Sequence, residues 1–90
     1  MPSGSHEESA SYRGHRIHVV ALRYGGQHDG WWVLRAAIWL HRAQLPHRYP
    51  DTDMHFACAT DACRIGIAWG REVIDNLIAD RRDDEEIAPQ

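Results

Sequence analysis

The stretch ATDACRIGIAWGREVIDNLIADRR, residues 59–82, decides the fold because it keeps a helical period throughout. At about 100° per residue, one face of this helix collects small and apolar side chains. They are Ala62, Cys63, Gly66, Trp69, Gly70, Val73, Ile74 and Leu77.

Two glycines, Gly66 and Gly70, lie inside that apolar face. Glycine in a helix costs about 1 kcal/mol relative to alanine. The pair therefore predicts that the helix lies close against another surface. Arg71 and Asp75 lie one turn apart on the opposite face and are predicted to form a weak surface ion pair.

Two β-strands are predicted ahead of the helix, at residues 12–24 and 31–41, which are rich in β-branched and aromatic side chains. A glycine-rich segment at residues 25–30 predicts a hairpin turn between them. The inner faces of the two strands are predicted to carry Ile17, Val19 and Ala21, and Trp32, Leu34, Ala36, Ile38 and Leu40. A helix is the rival interpretation of residues 31–43, but the tandem tryptophans after a glycine turn favour the strand.

The segment between the second strand and the helix is predicted to be mostly irregular. Pro46 and Pro50 indicate an irregular connection over residues 42–53. A short third strand at residues 54–57 would turn Phe56 inward, and Cys58 or Thr60 would cap the helix. The predicted fold is therefore α+β, a three-stranded antiparallel sheet with one long C-terminal helix on one face (β-β-β-α).

The two ends of the chain differ in composition from the middle. Residues 1–11 are small and polar, and residues 83–90 begin with four acidic residues, so both are predicted to be disordered tails around a single domain at residues 12–82. The formal net charge is −3, but six of the 13 acidic residues lie in the tails. Residues 12–82 contain ten arginines and seven acidic residues, so the net charge of this segment is about +3.

Composition also bears on location. No signal-peptide pattern follows Met1, and no window is apolar enough to span a bilayer, so we expect a cytoplasmic protein without a membrane partner. Cys58 and Cys63 are expected to be reduced thiols, Cys63 in the core and Cys58 at its boundary.

The sequence offers little for catalysis. Asp51, Asp53 and His55 alternate and would point the same way in an extended segment, but such a set arises often by chance. Cys58 and His55 lack a third orienting group, and no phosphate loop, dinucleotide fingerprint or hydrolase elbow is present. We therefore expect no enzyme, no catalytic residue, no metal and no cofactor.

The face of the sheet that the helix leaves uncovered carries the leading functional hypothesis. One helix covers one face of a small sheet, yet apolar side chains occupy both faces, and exposed apolar patches commonly mark partner surfaces. The predicted partner-binding residues are Val20, Leu22, Trp31, Val33 and Trp39. We expect a small non-enzymatic binding module that acts through a homodimer or protein contact at this surface.

Arginines along the predicted strands give the alternative hypothesis, a nucleic-acid-associated module. The candidate contacts are Arg13, Arg16, Arg23, Arg35 and Arg42. Trp31 and Trp39 on the outer face would add stacking to their charge, as in proteins that bind a single nucleic-acid strand. The β-β-β-α order also resembles part of the double-stranded-RNA-binding fold and of small antitoxin domains. An arginine-rich solvated face is the commoner alternative.

Three short motifs lie along the chain: Tyr12-Arg13-Gly14 at the start, Trp32-Val33 in the hairpin, and Trp69-Gly70-Arg71 followed by Ile74-Asp75 in the closing helix. Together they resemble a family of small uncharacterised proteobacterial proteins. The resemblance covers roughly residues 12–80 and implies a β-β-β-α fold, and it supplies no activity and no catalytic residues. Cys58 departs from the Ser or Thr usual before that helix.

Overall fold

The computed structural model describes residues 4–25, 30–51 and 53–87. Four strands precede one helix: β1 (Gly4–Tyr12), β2 (His15–Tyr24), β3 (Trp31–Leu40), β4 (Ala43–Arg48) and α1 (Ala59–Ile87). The strands form one antiparallel sheet in the order β1-β2-β3-β4. The α+β class with a C-terminal helix is confirmed, and the predicted number of three strands is wrong.

The core lies between α1 and the inner face of the two central strands. Ile17, Val19 and Ala21 of β2 and Leu34, Ala36 and Ile38 of β3 are buried, as their period of two predicts. Ala62, Cys63 and Ile74 of α1 and Tyr49 belong to the same core. The helical interpretation of residues 31–43 is therefore wrong, since β3 pairs with β2 along its whole length.

The helix approaches the sheet most closely at its two glycines. A Cβ atom on Gly66 would lie 2.9 Å from both Leu34 Cδ1 and Val19 Cγ1. One on Gly70 would lie 2.7–2.8 Å from three carbon atoms of Ile17. Atoms at these separations overlap, so only glycine permits this helix-to-sheet distance, as the sequence predicts.

The first strand is a departure from the prediction. Residues 4–11, expected to be a disordered tail, form β1 with Tyr12 and pair with β2 in unbroken register. A two-residue loop joins them, with φ of 48° at Arg13 and 81° at Gly14. Positive φ at both central residues is the pattern of a type I′ turn, whose twist matches a hairpin. The segment predicted as one strand over residues 12–24 therefore begins with a turn.

The fourth strand is a second departure. Residues 42–53, predicted as irregular, contain β4 with Pro46 inside it. Because β4 is an edge strand, a residue without an amide hydrogen is tolerated there. Tyr49, just after the strand, is buried and packs edge-on against Trp69 of α1 with ring centroids 5.8 Å apart.

The remaining predictions hold in part. In place of a third strand at residues 54–57, Phe56 forms an isolated bridge to Trp32 and packs half-buried against the core. The helix begins at Ala59 as predicted, with Ala62 donating to the carbonyl of Cys58. It continues through residues 83–87, predicted as part of a disordered tail. The first three residues of the predicted N-terminal tail, the last three of the C-terminal one and residues 26–29 of the predicted glycine turn lie outside the described residues.

A polar contact ties the β1–β2 turn to the helix. Asp75 accepts hydrogen bonds from Tyr12 Oη at 2.9 Å and from Arg13 Nη1 at 2.8 Å. Arg71, predicted to pair with Asp75, instead holds its guanidinium over the Tyr12 ring, with Cζ 5.6 Å from the centroid. His15 Nδ1 lies 3.0 Å from the Arg13 carbonyl oxygen and donates to it. We call Tyr12, Arg13 and Asp75 the turn clamp.

We expect Gly70→Ala to lower the free energy of unfolding by about 1 kcal/mol. Overpacking against Ile17 costs about 1–3 kcal/mol, which exceeds the gain of about 1 kcal/mol in helix propensity. Urea unfolding of both proteins measures the difference. Ala68→Gly is the control, because Ala68 is exposed on α1 and alanine is there the more stable of the two residues. We expect this change to lower the free energy of unfolding by about 1 kcal/mol. A Gly70→Ala variant more stable than wild type would contradict the close contact.

We expect Asp75→Asn to lower stability at neutral pH and to have less effect in acid. The hydrogen bonds from Arg13 and then from Tyr12 hold the pKa of the Asp75 carboxyl below its ordinary value of 3.8. Its contribution to stability is therefore complete above that pH and is lost as pH falls through the lowered folded-state pKa. Urea midpoints from pH 7 to below pH 3.8 should converge for wild type and variant. Asp80→Asn, at an exposed position of the same helix, is the control and should show no such convergence.

Candidate binding surface on the open sheet face

The outer face of the sheet points away from α1. Its central positions alternate with the core residues of β2 and β3, and register places Arg16 opposite Trp39, Val20 opposite Arg35, and Leu22 opposite Val33. Since α1 packs on the inner face, no element within the described ranges covers these side chains. We call this surface the open face.

An apolar stripe runs along the middle of the open face. Its members Val20, Leu22, Val33, Ala37 and Trp39 are all half-buried, because neighbours across the β2–β3 pair shield one another. The flanking residues of β1 on this face are polar: Ser5, Glu7, Ser9 and Ser11. The stripe is therefore bordered by an edge strand that water solvates readily.

A groove of about 280 Å³ interrupts the stripe on the β4 side. Val20 and Ala37 line it together with the basic side chains His18, Arg35 and Arg48. Arg48 Nη1 donates to the carbonyl of Leu45 at 2.8 Å, which holds its guanidinium near β4. The groove thus combines an apolar lining with basic groups.

His18 has an unusual environment on this face. Its Nδ1 atom is buried and has no hydrogen-bond partner among the described residues. Its Nε2 atom lies 4.0 Å from Glu7 Oε1. A buried polar atom without a partner costs free energy that a bound group can recover.

The five predicted partner-binding residues differ in their surroundings. Val20, Leu22, Val33 and Trp39 belong to the apolar stripe. Trp31 is the first residue of β3 and stacks on His55, with ring centroids 5.0 Å apart. One face of its indole is therefore occupied within the chain, which reduces its value as a contact residue.

The five predicted arginines do not form one surface. Arg16 and Arg35 lie on the open face, whereas Arg13 belongs to the turn clamp. Arg23 pairs with Trp32 and, by alternation, lies on the inner side of the sheet. Arg42 lies in the β3–β4 turn. The surface available to a nucleic acid is accordingly smaller than the sequence predicts.

Two basic residues of the groove, His18 and Arg48, lie outside the five arginines chosen as candidate nucleic-acid contacts. The sequence does place His18 on the same strand face as Val20 by alternation. It does not place Arg48 on this face, because the segment was predicted to be irregular and the face of Arg48 follows from its pairing with Ala37.

Within the described ranges, Asp51, Asp53 and His55 do not converge as a set of three possible metal ligands. His55 stacks on Trp31, while Asp51 and Asp53 line a separate depression with Pro50 and Met54. Among the described residues, the histidine, cysteine and carboxylate atoms that do converge are those of His6, Glu8 and Cys63. These three lie on the inner side of the sheet, between β1 and α1.

Comparisons with protein-family models, with curated proteins and with solved structures found no match. The part of the chain that the structure describes contains no helix both long enough and apolar enough to cross a membrane.

Proposed function

We propose that this protein is a small non-enzymatic binding module of the cytoplasm, and that a second copy of the chain occupies its open face. The observation that carries the proposal is the apolar stripe, which lies over the core strands and has no cover within the described residues. Two free cysteines suit a reducing compartment. We also propose that the chain is related to the small proteobacterial proteins that its motifs resemble, a relation that implies no activity.

The size of the open face fits a dimer. Three strands of nine or ten residues and the six-residue β4, about 4.8 Å apart with a rise of about 3.3 Å per residue, present up to about 550 Å². Two such faces could bury up to about 1,100 Å² in total, slightly above the roughly 1,000 Å² expected of a specific interface. Sheets that pack face to face interdigitate the side chains of their inner surfaces, as in a β-sandwich.

Charge selects the orientation of the two copies. A two-fold axis parallel to the strands places β1 of one copy over β4 of the other. Glu7 of β1 then approaches the basic groups Arg35 and Arg48 of the second copy. The opposite arrangement, with β1 over β1, would bring the two Glu7 carboxylates together, which costs free energy.

The groove supports the same interpretation. A side chain from the second copy that enters it would bury further apolar surface against Val20 and Ala37. A polar group on that side chain could supply the partner that His18 Nδ1 lacks within the described residues. Association would then recover a cost that the separate chain carries.

We expect the wild type to show a monomer–dimer equilibrium in sedimentation experiments over a concentration series. Val33→Asp should raise the dissociation constant more than about tenfold, because it places a charge within the apolar stripe that the contact would bury. Ile65→Asp is the matched control, since Ile65 is an exposed apolar residue of α1 outside the open face. Circular dichroism verifies that both variants are folded.

Two results would contradict the dimer. One is a wild type that stays monomeric at the highest concentration. The other is an equal effect of Val33→Asp and Ile65→Asp, because the contact would then lie elsewhere or be nonspecific.

A nucleic-acid strand is the second candidate, favoured by the position of Arg16 opposite Trp39 and of Arg35 and Arg48 beside the groove. If it is the true occupant, fluorescence anisotropy should show binding of a single-stranded oligonucleotide that weakens as salt rises. Arg16→Glu and Arg35→Glu should abolish that binding. Arg64→Glu, at an exposed position of α1, should have a smaller effect. Binding with this pattern would replace the dimer as the function of the open face.

A further inference from the structure

The inner face of β1 contains two polar residues beside apolar core residues of β2. Register places His6 beside Ala21 and Glu8 beside Val19, both of which are core residues. His6 and Glu8 therefore lie on the side of the sheet that α1 covers. Neither residue belongs to the hydrophobic side chains that form or flank the core.

The two side chains meet a cysteine of the helix. His6 Nε2 lies 3.5 Å from Glu8 Oε1. The ligand atoms of His6, Glu8 and Cys63 all lie within 4.8 Å of one another. Cys63 is fully buried, whereas the His6 and Glu8 side chains are 46% and 45% exposed. The cluster thus has a buried sulfur on its inner side and two ligands with access to solvent.

We propose that His6, Glu8 and Cys63 form a binding site for Zn²⁺ or a similar divalent transition metal, which would link β1 to α1. Sulfur, imidazole nitrogen and carboxylate oxygen are the three ligand types that zinc takes in proteins. Tetrahedral bonds of about 2.0–2.3 Å put such ligand atoms about 3.3–3.7 Å apart. The His6–Glu8 separation already has this value, and the remaining adjustment falls on half-exposed side chains.

The three ligands leave the fourth tetrahedral position to water. Zinc sites with three protein ligands and an open position are the kind that bind an exogenous group. The sequence does not reveal this site, because His6 and Glu8 lie in a segment predicted to be a tail and Cys63 lies 55 residues after Glu8 in the chain.

Binding requires one proton to leave. Burial, together with the nearby Glu8 carboxylate, raises the pKa of the Cys63 thiol to about 11, so the metal-free thiol keeps its proton. On binding, the sulfur–hydrogen bond breaks, the proton passes to solvent, and a sulfur–metal bond forms without any change of oxidation state.

Titration of the 90-residue chain with Co²⁺ tests the site through the thiolate-to-cobalt charge-transfer absorption, which reports a sulfur ligand directly. We expect one Co²⁺ per chain and displacement by Zn²⁺. Cys63→Ser should abolish the absorption, while Cys58→Ser should retain it, because Cys58 is exposed and outside the cluster.

Two neighbouring glutamates provide a second matched pair. Glu8 faces α1, and Glu7 faces the other side of the same strand. We expect Glu8→Gln to weaken Zn²⁺ binding more than about tenfold, since loss of even a group that only supports a metal ligand typically costs about 10- to 100-fold, and Glu7→Gln to leave it unchanged. Zn²⁺ should also raise the melting temperature of wild type, since it binds the folded state, and should not raise that of Cys63→Ser.

The proposal is overturned if folded wild type gives no thiolate–cobalt absorption, or if the absorption survives Cys63→Ser. It is likewise overturned if Glu7→Gln and Glu8→Gln weaken binding equally. His6 and Glu8 would then serve only as inward-facing polar groups on an edge strand, a common protection against edge-to-edge pairing.

Discussion

The structure depends on the contact between the glycine face of α1 and the inner face of the sheet. Gly66 and Gly70 bring the helix so near to Ile17, Val19 and Leu34 that a methyl group at either position would overlap them. This proximity lets a short chain build a dry core from β2, β3 and one helix. The only helix in the described ranges packs on the inner face, so it does not cover the apolar stripe on the outer face.

Polar contacts at the margins hold that arrangement in place. The turn clamp joins the β1–β2 turn to Asp75 near the middle of α1, and it fixes Arg13 in a backbone conformation with φ of 48° that few residues other than glycine adopt.

The sequence predicted the parts of the fold whose stability comes from side-chain burial. The hydrophobic residues of β2, β3 and α1 recur with a clear period, because side chains such as Ile17, Leu34 and Ile74 pack in one core. The edge strands β1 and β4 were not predicted, because backbone pairing stabilises them and their side chains show no alternating hydrophobic pattern. β1 is rich in serine, and β4 contains Pro46. For the candidate sites, alternation placed Val33 and Trp39, whereas the cluster of Glu8 with Cys63 depends on a long-range contact that no local pattern encodes.

The helix α1 occupies one face of the sheet, and we propose that a second copy of the chain occupies the other. Methyl resonances in a dilution series distinguish the two faces most directly. The account predicts that the methyl signals of Val20, Leu22 and Val33 shift with protein concentration, while those of Ile17, Leu34 and Ile74 stay fixed. Signals that shift on both faces alike, or on neither, would contradict it.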